Sequence, residues 1–195
     1  MRTANITRKT KETDITLELN LDGVGNSKID TKCGFLDHML ELFSRHARID
    51  LTVTCNGDVN VDYHHTVEDV GIVLGQAVKQ ALGDMKGIVR YGYNILPMDE
   101  TLVLTALDIS GRSYLRCELP VRSSKIKDFD VELVQEFFWA FVRHAGVTLH
   151  LQKMAGTNAH HVMEGAFKSF ARSLKQAISI DQAFKNEIPS TKGVL

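Results

Sequence analysis

No stretch of this 195-residue chain approaches the ~18 consecutive apolar residues that a membrane span needs. Nor is there a surplus of charge, since 23 Lys and Arg against 24 Asp and Glu leave a net charge of -1. That excludes the electrostatic footprint of a nucleic-acid binder or of a protein held on an anionic membrane, and neither partner is expected. The N-terminal stretch MRTANITRKTKETDIT has no apolar core, so it does not read as a secretory signal, and a cytoplasmic location is expected. Cysteine is scarce. Cys33, Cys55 and Cys117 are odd in number and lack CxxC spacing, so they read as buried or partly buried thiols in a reducing compartment. There are three prolines, and no Pro/Gly/Ser-rich linker divides the chain. With 44% hydrophobic residues it can bury a core as one domain or two small ones.

Histidine is where the sequence concentrates its chemistry. The pattern HHxxE occurs at His64-His65-Thr66-Val67-Glu68 and again at His160-His161-Val162-Met163-Glu164, which uses four of the eight histidines. Neutral imidazole with carboxylate suits Mn, Fe, Co, Ni or Zn. A single copy is often no more than a solvated helix face; two copies in equivalent places argue for metal.

The two halves do align. Glu12-Thr13 through Gly23 lies over Glu100-Thr101 through Gly111, two strands that each end in a turn. Phe43-Ser44-Arg45-His46-Ala47 lies over Phe141-Val142-Arg143-His144-Ala145, each the end of a helix before a strand. The HHxxE copies open helices over 65–82 and 160–178, both with an apolar stripe at helical spacing. Each half therefore reads strand, strand, helix, strand, strand, helix, an α+β class with helices on one face of a sheet. The halves are expected at 1–89 and 90–187, joined within Gly87 to Pro97, with 188–195 as a C-terminal arm. They would pack side by side or helix against helix. His46 and His144 read as helix-end charges or caps, and His150 as a structural strand histidine.

Adjacent histidines on a helix point about 100° apart and do not easily serve one ion. The economical arrangement is two metals, with each HHxxE lending ligands to both. Carrying the repeat backwards nominates His38 and its counterpart Glu136. The ligand set is then His38, His64, His65, Glu68, Glu136, His160, His161 and Glu164, with positions left open for water or substrate on an octahedral ion.

The segments FLDHML, DYHHTVED, PMDE, SGR, NAHHVMEGAFKSFARSL and PSTKGVL, in that order, resemble the imidazoleglycerol-phosphate dehydratase family over essentially the whole chain. The resemblance implies an internally duplicated fold, each half a four-stranded sheet backed by two helices, like domain 2 of ribosomal protein S5. It implies two Mn2+ per active site, and a homo-oligomer of 24 subunits with sites between subunits. The implied reaction belongs to histidine biosynthesis: D-erythro-imidazole glycerol 3-phosphate loses water to give imidazole acetol phosphate. It would run through a metal-bound imidazolate and a diazafulvene-like intermediate. The family's base would fall on Glu12, and its substrate contacts on Glu12, Arg90, Arg112, Lys168, Ser190 and Lys192. Two positions depart from the pattern. Glu136 stands where other members have His, and Leu42 where some carry Gln. The chain is too short for the phosphatase domain fused to some bacterial members, so a monofunctional dehydratase is expected. The competing readings are a binuclear metallohydrolase of phosphate esters and a metal-glued assembly or storage protein. The first is disfavoured by a site rich in His and poor in Asp, and the second leaves the cationic residues without a role.

Overall fold

The computed structural model describes residues 1–195. The first half runs β1 (Thr3–Lys9), β2 (Thr13–Asn20), β3 (Ser27–Asp30), α1 (Gly34–Ala47), β4 (Asp50–Gly57) and α2 (His64–Leu82). The second runs β5 (Tyr91–Met98), β6 (Thr101–Asp108), β7 (Tyr114–Glu118), a small hairpin β8 (Lys125–Ile126) and β9 (Phe129–Asp130), α3 (Leu133–Ala145), β10 (Thr148–Ala155) and α4 (Ala159–Ile178). The sheet orders are β1-β2-β4-β3 and β5-β6-β10-β7, so the duplication holds strand for strand. In each sheet three strands are antiparallel and the last pairs in parallel, with a helix as the crossover.

The expected element order needs correction. Three strands of each four-stranded sheet precede the first helix of their half, with the β8–β9 hairpin added before α3 in the second, and no strand follows β4 or β10 before the next helix. The strands missed by pattern are β3, SKID, with no buried residue, and β7, YLRCE, in which Leu115 alone is buried. Both are edge strands, so they carry little of the alternation that betrays a strand. Pro97 belongs to β5 rather than to a junction. An edge strand tolerates it because no neighbour needs its missing N–H.

β2 alternates buried Thr13, Ile15, Leu17 and Leu19 with outward residues, and β6 repeats this with Thr101, Val103, Thr105 and Leu107. Those rows face the helices. α1 then packs on α4 and α2 on α3, so the helices of the two halves meet between the sheets in a β–α–α–β sandwich. Helix against helix is thus the arrangement adopted, and 48 residues form one continuous core. Phe43 of α1 stacks on Phe170 of α4, which also meets Phe138 and Phe141 edge-on. Each such ring contributes roughly 1.5–3 kcal/mol through burial. At the α2–α3 contact, a Cβ on Gly71 would lie 2.7 Å from the Phe137 carbonyl oxygen, and one on Gly75 2.6 Å from that of Phe141. The two helices approach that closely because both residues lack side chains. No helix is long and apolar enough to cross a membrane.

Candidate functional site

The helix starts place the histidines. α4 is capped by Asn158, whose side chain accepts the backbone N–H groups of His160 and His161 at 2.9 and 3.3 Å. α2 begins where the Asp62 carboxylate accepts the His64 N–H at 2.7 Å. Both HHxxE pairs therefore sit in a first helical turn, one residue earlier than the periodicity implied. α1 lies against α4 and brings His38 beside His160 and Glu164.

The ligand atoms of His38, His160 and Glu164 lie within 4.8 Å of one another. Glu164 Oε2 is 3.1 Å from His160 Nε2 and 3.6 Å from His38 Nε2, while Oε1 takes the Lys168 ammonium. Burial raises the Glu164 pKa, but Lys168 and His160 together outweigh it and hold the carboxyl below the usual range. Phe35 packs edge-on against the His160 ring. These residues converge closely enough to hold one ion, and His38 and His160 leave the cluster open on its solvent side.

The first HHxxE is looser. His64 Nε2 stands 3.9 Å from Glu68 Oε2, and no third ligand within the chain completes a cluster there. Glu136 lies on α3, which packs along α2, but it joins no such cluster. The second histidine of each pair has a separate partner. His65 Nδ1–H donates to Asp58 Oδ2 at 3.0 Å, and His161 Nδ1–H to Glu100 Oε2 at 2.8 Å. Both carboxylates raise their histidine's pKa. Glu100 falls to about 2, chiefly through His161 and then the N–H groups of Asn158 and Thr157. Glu12, at the β1–β2 turn, has Oε1 3.8 Å from His65 Nε2. Asp58 and Glu100 were not picked out from sequence, although the repeat already laid Glu100 over Glu12.

A second feature lies at the end of the other sheet. The C-terminal arm folds back over Arg90, Tyr91 and the Ser110-Gly111-Arg112 turn, enclosing a hollow of ≈ 510 Å³ with Ser190 and Lys192 on its wall. Arg90 is a tether there: Nε and Nη2 bind Asp108 and Nη1 donates to the Pro189 carbonyl at 2.9 Å. Gly111, at φ 71°, lets the Leu195 backbone pass, because a Cβ there would come within 2.9 Å of it. Lys168 is not among the lining residues; it stands beside Glu164 instead. The thiols of Cys33, Cys55 and Cys117 are free, and burial pushes them up to about 11, 11 and 12.

A duplicated α+β sandwich with paired histidine–carboxylate motifs at its helix starts and a cationic hollow defines a class, an enzyme that handles a small anionic substrate beside imidazole and carboxylate groups. Residues 31–174 match the family model for imidazoleglycerol-phosphate dehydratase. The chain is 58% identical over its full length to the imidazoleglycerol-phosphate dehydratase of Xanthobacter autotrophicus, covering 99% of that protein. It is 57% identical to that of Dinoroseobacter shibae, with both chains covered completely. The solved structure of the Staphylococcus aureus enzyme superposes with a TM-score of 0.84 at 39% identity, over 92% of this chain and 99% of that one. The Pyrococcus furiosus enzyme, solved in complex with (S)-C348, gives 0.84 at 36% identity over 97% and 100%. The chain belongs to the imidazoleglycerol-phosphate dehydratase family, and is a hydro-lyase of histidine biosynthesis.

Proposed function

We propose that this chain dehydrates D-erythro-imidazole glycerol 3-phosphate to imidazole acetol phosphate with two Mn2+ per site, in the cytoplasm, as a 24-subunit assembly whose sites lie between subunits. The observation that carries the metal reading is the convergence of His38, His160 and Glu164; His64, His65, Glu68, Glu136 and His161 would supply the remaining donors once subunits come together. These donors fit manganese: nitrogen and oxygen with no thiolate, and several of them solvent-facing, which leaves coordination positions open. Bound there, the ions would draw charge from the substrate's imidazole ring toward an imidazolate. The first-half ligands do not close a cluster within one chain, which supports sites completed by a neighbouring subunit.

The chain's own residues supply the rest. Lys168 occupies Oε1 of Glu164 and so aims Oε2 at the two histidines. Arg112, Ser190 and Lys192 would take the phosphate in the hollow, with Arg90 holding the arm across it. Glu12 would remove the proton from the carbon that becomes the ketone. The hydroxyl beside the ring leaves as water by way of a diazafulvene-like species, and the resulting enol tautomerises. Residues 1–89 and 90–187 are read as the repeats, and 188–195 as the arm that covers bound substrate.

Turnover of imidazole glycerol phosphate by metal-stripped protein, before and after Mn2+ is added back, tests this. Mn2+-dependent enolisable product with no free phosphate is expected. Phosphate release would instead favour a hydrolase, and turnover without any divalent ion would remove the metal reading.

A further inference from the structure

The duplication offers a comparison that no single active site could. Glu12 in the β1–β2 turn and Glu100 in the β5–β6 turn are the same residue of the repeat, yet they have different surroundings. Glu100 is fully engaged. Its Oε2 accepts from His161 Nδ1, and its Oε1 from the backbone N–H groups of Thr157 and Asn158 at 3.2 and 2.9 Å and the Thr101 hydroxyl at 3.1 Å. The Glu12 side chain has no hydrogen-bond partner, is 54% exposed, and faces the free Nε2 of His65. In the first half, Asp58 takes the histidine that Glu100 holds in the second.

The connections between strand and helix account for the exchange. A register shift between Lys153 and Ala155 sets Gly156 level with Gly57 at the strand ends. After Gly57 the chain runs from Asp58 to Tyr63 before α2 begins, whereas after Gly156 two residues suffice to reach α4. The longer loop brings its own carboxylate, Asp58. The shorter one has Thr157 in that place and is fastened to the hairpin through Glu100. In both halves a carboxylate from outside the helix accepts from Nδ1, and because it can only accept, Nδ1 carries the proton and Nε2 is left to bind a metal.

We propose that Asp58 and Glu100 are the positioning residues of His65 and His161, each presenting Nε2 to a metal, and that Asp58, by taking this role in the first half, releases Glu12 for catalysis. This rests on the metal reading above and deepens it. Without Asp58, Glu12 would be the carboxylate nearest the same histidine, and orienting it would cost the base its freedom.

The test is Mn2+ affinity of the assembled full-length protein, followed by the paramagnetic resonance of free Mn2+, alongside the melting temperature of the metal-free form. Asp58→Ala and Glu100→Gln should each weaken Mn2+ binding about 10–100-fold, the usual effect of removing such an outer partner, with metal-free melting unchanged. Asp58→Asn, which keeps an oxygen acceptor for His65 Nδ1, should recover most of that loss. In Glu100→Gln, by contrast, the single oxygen is claimed by the Thr157 and Asn158 N–H groups, and the amide N–H would face His161 Nδ1–H. Glu12→Gln should bind Mn2+ as the wild type does. Wild-type affinity in Asp58→Ala or Glu100→Gln, an affinity loss that only tracks lower metal-free stability, or a weakened Glu12→Gln would each overturn the proposal. His161→Ala separates the two layers. If it binds Mn2+ undiminished, the metal reading itself fails; if it loses binding while Asp58→Ala and Glu100→Gln do not, only the positioning role does.

Discussion

Glu164 divides its two oxygens, one to an ammonium and one to a pair of imidazoles, and that division sets the orientation of the cluster. At this scale the most informative residue to change is Glu12. Glu12→Gln preserves shape and removes only the ability to accept a proton. It should lower kcat by about 10²–10⁴-fold, the usual contribution of a positioned base, with substrate binding retained; steady-state kinetics showing a near-normal kcat would reassign the base. The arm carries a different expectation. Lys192 is exposed on the wall of the hollow, so Lys192→Ala should raise KM more than it lowers kcat, and unchanged kinetics would remove the arm from the substrate site.

Among the elements, the close contact of α2 with α3 is the most exacting. Gly75→Ala would push a methyl against the Phe141 carbonyl and the His144 side chain. A loss of about 1–3 kcal/mol is expected from such overpacking, read as a lowered denaturation midpoint. The elements also show what pattern reveals and what it hides. The long helices and the central strands β2 and β6 were legible because they bury one face with a fixed period. β3 and β7 were not, because an edge strand with little burial leaves no period to read. The site followed the same logic. The repeated HHxxE singled out four histidines, and carrying the repeat back nominated His38 with Glu136; the structure gathers His38 with His160 and Glu164 and leaves Glu136 outside that cluster, a pairing the repeat did not specify. It places Lys168 beside Glu164 rather than in the hollow with Arg112 and Lys192, a separation set by how α4 lies on its sheet and invisible in spacing along the chain. Asp58 escaped notice because a lone aspartate in a turn has no pattern, and its role depends on a loop length that differs between the halves.

For the whole molecule, the two sheets turn different outer faces to solvent. On the second, Tyr91, Tyr93, Ile95 and Tyr114 are all at least half exposed. The matching positions of β1 are Thr3, Asn5 and Thr7, which are polar. An aromatic face on one sheet alone supports burial against other copies of the chain. Tyr93→Glu should reduce the assembled mass in sedimentation and, where sites span subunits, activity with it; an intact, active assembly would place the contact elsewhere. The exchange of helix partners across the centre has a further outcome, in time rather than space. While the ribosome has delivered only residues 1–89, the apolar sides of α1 and α2 face water, since α4 and α3 do not yet exist. The first repeat would remain exposed to aggregation and chaperone capture until the last helix emerges, so an inherited duplicate need not be an independently folding one.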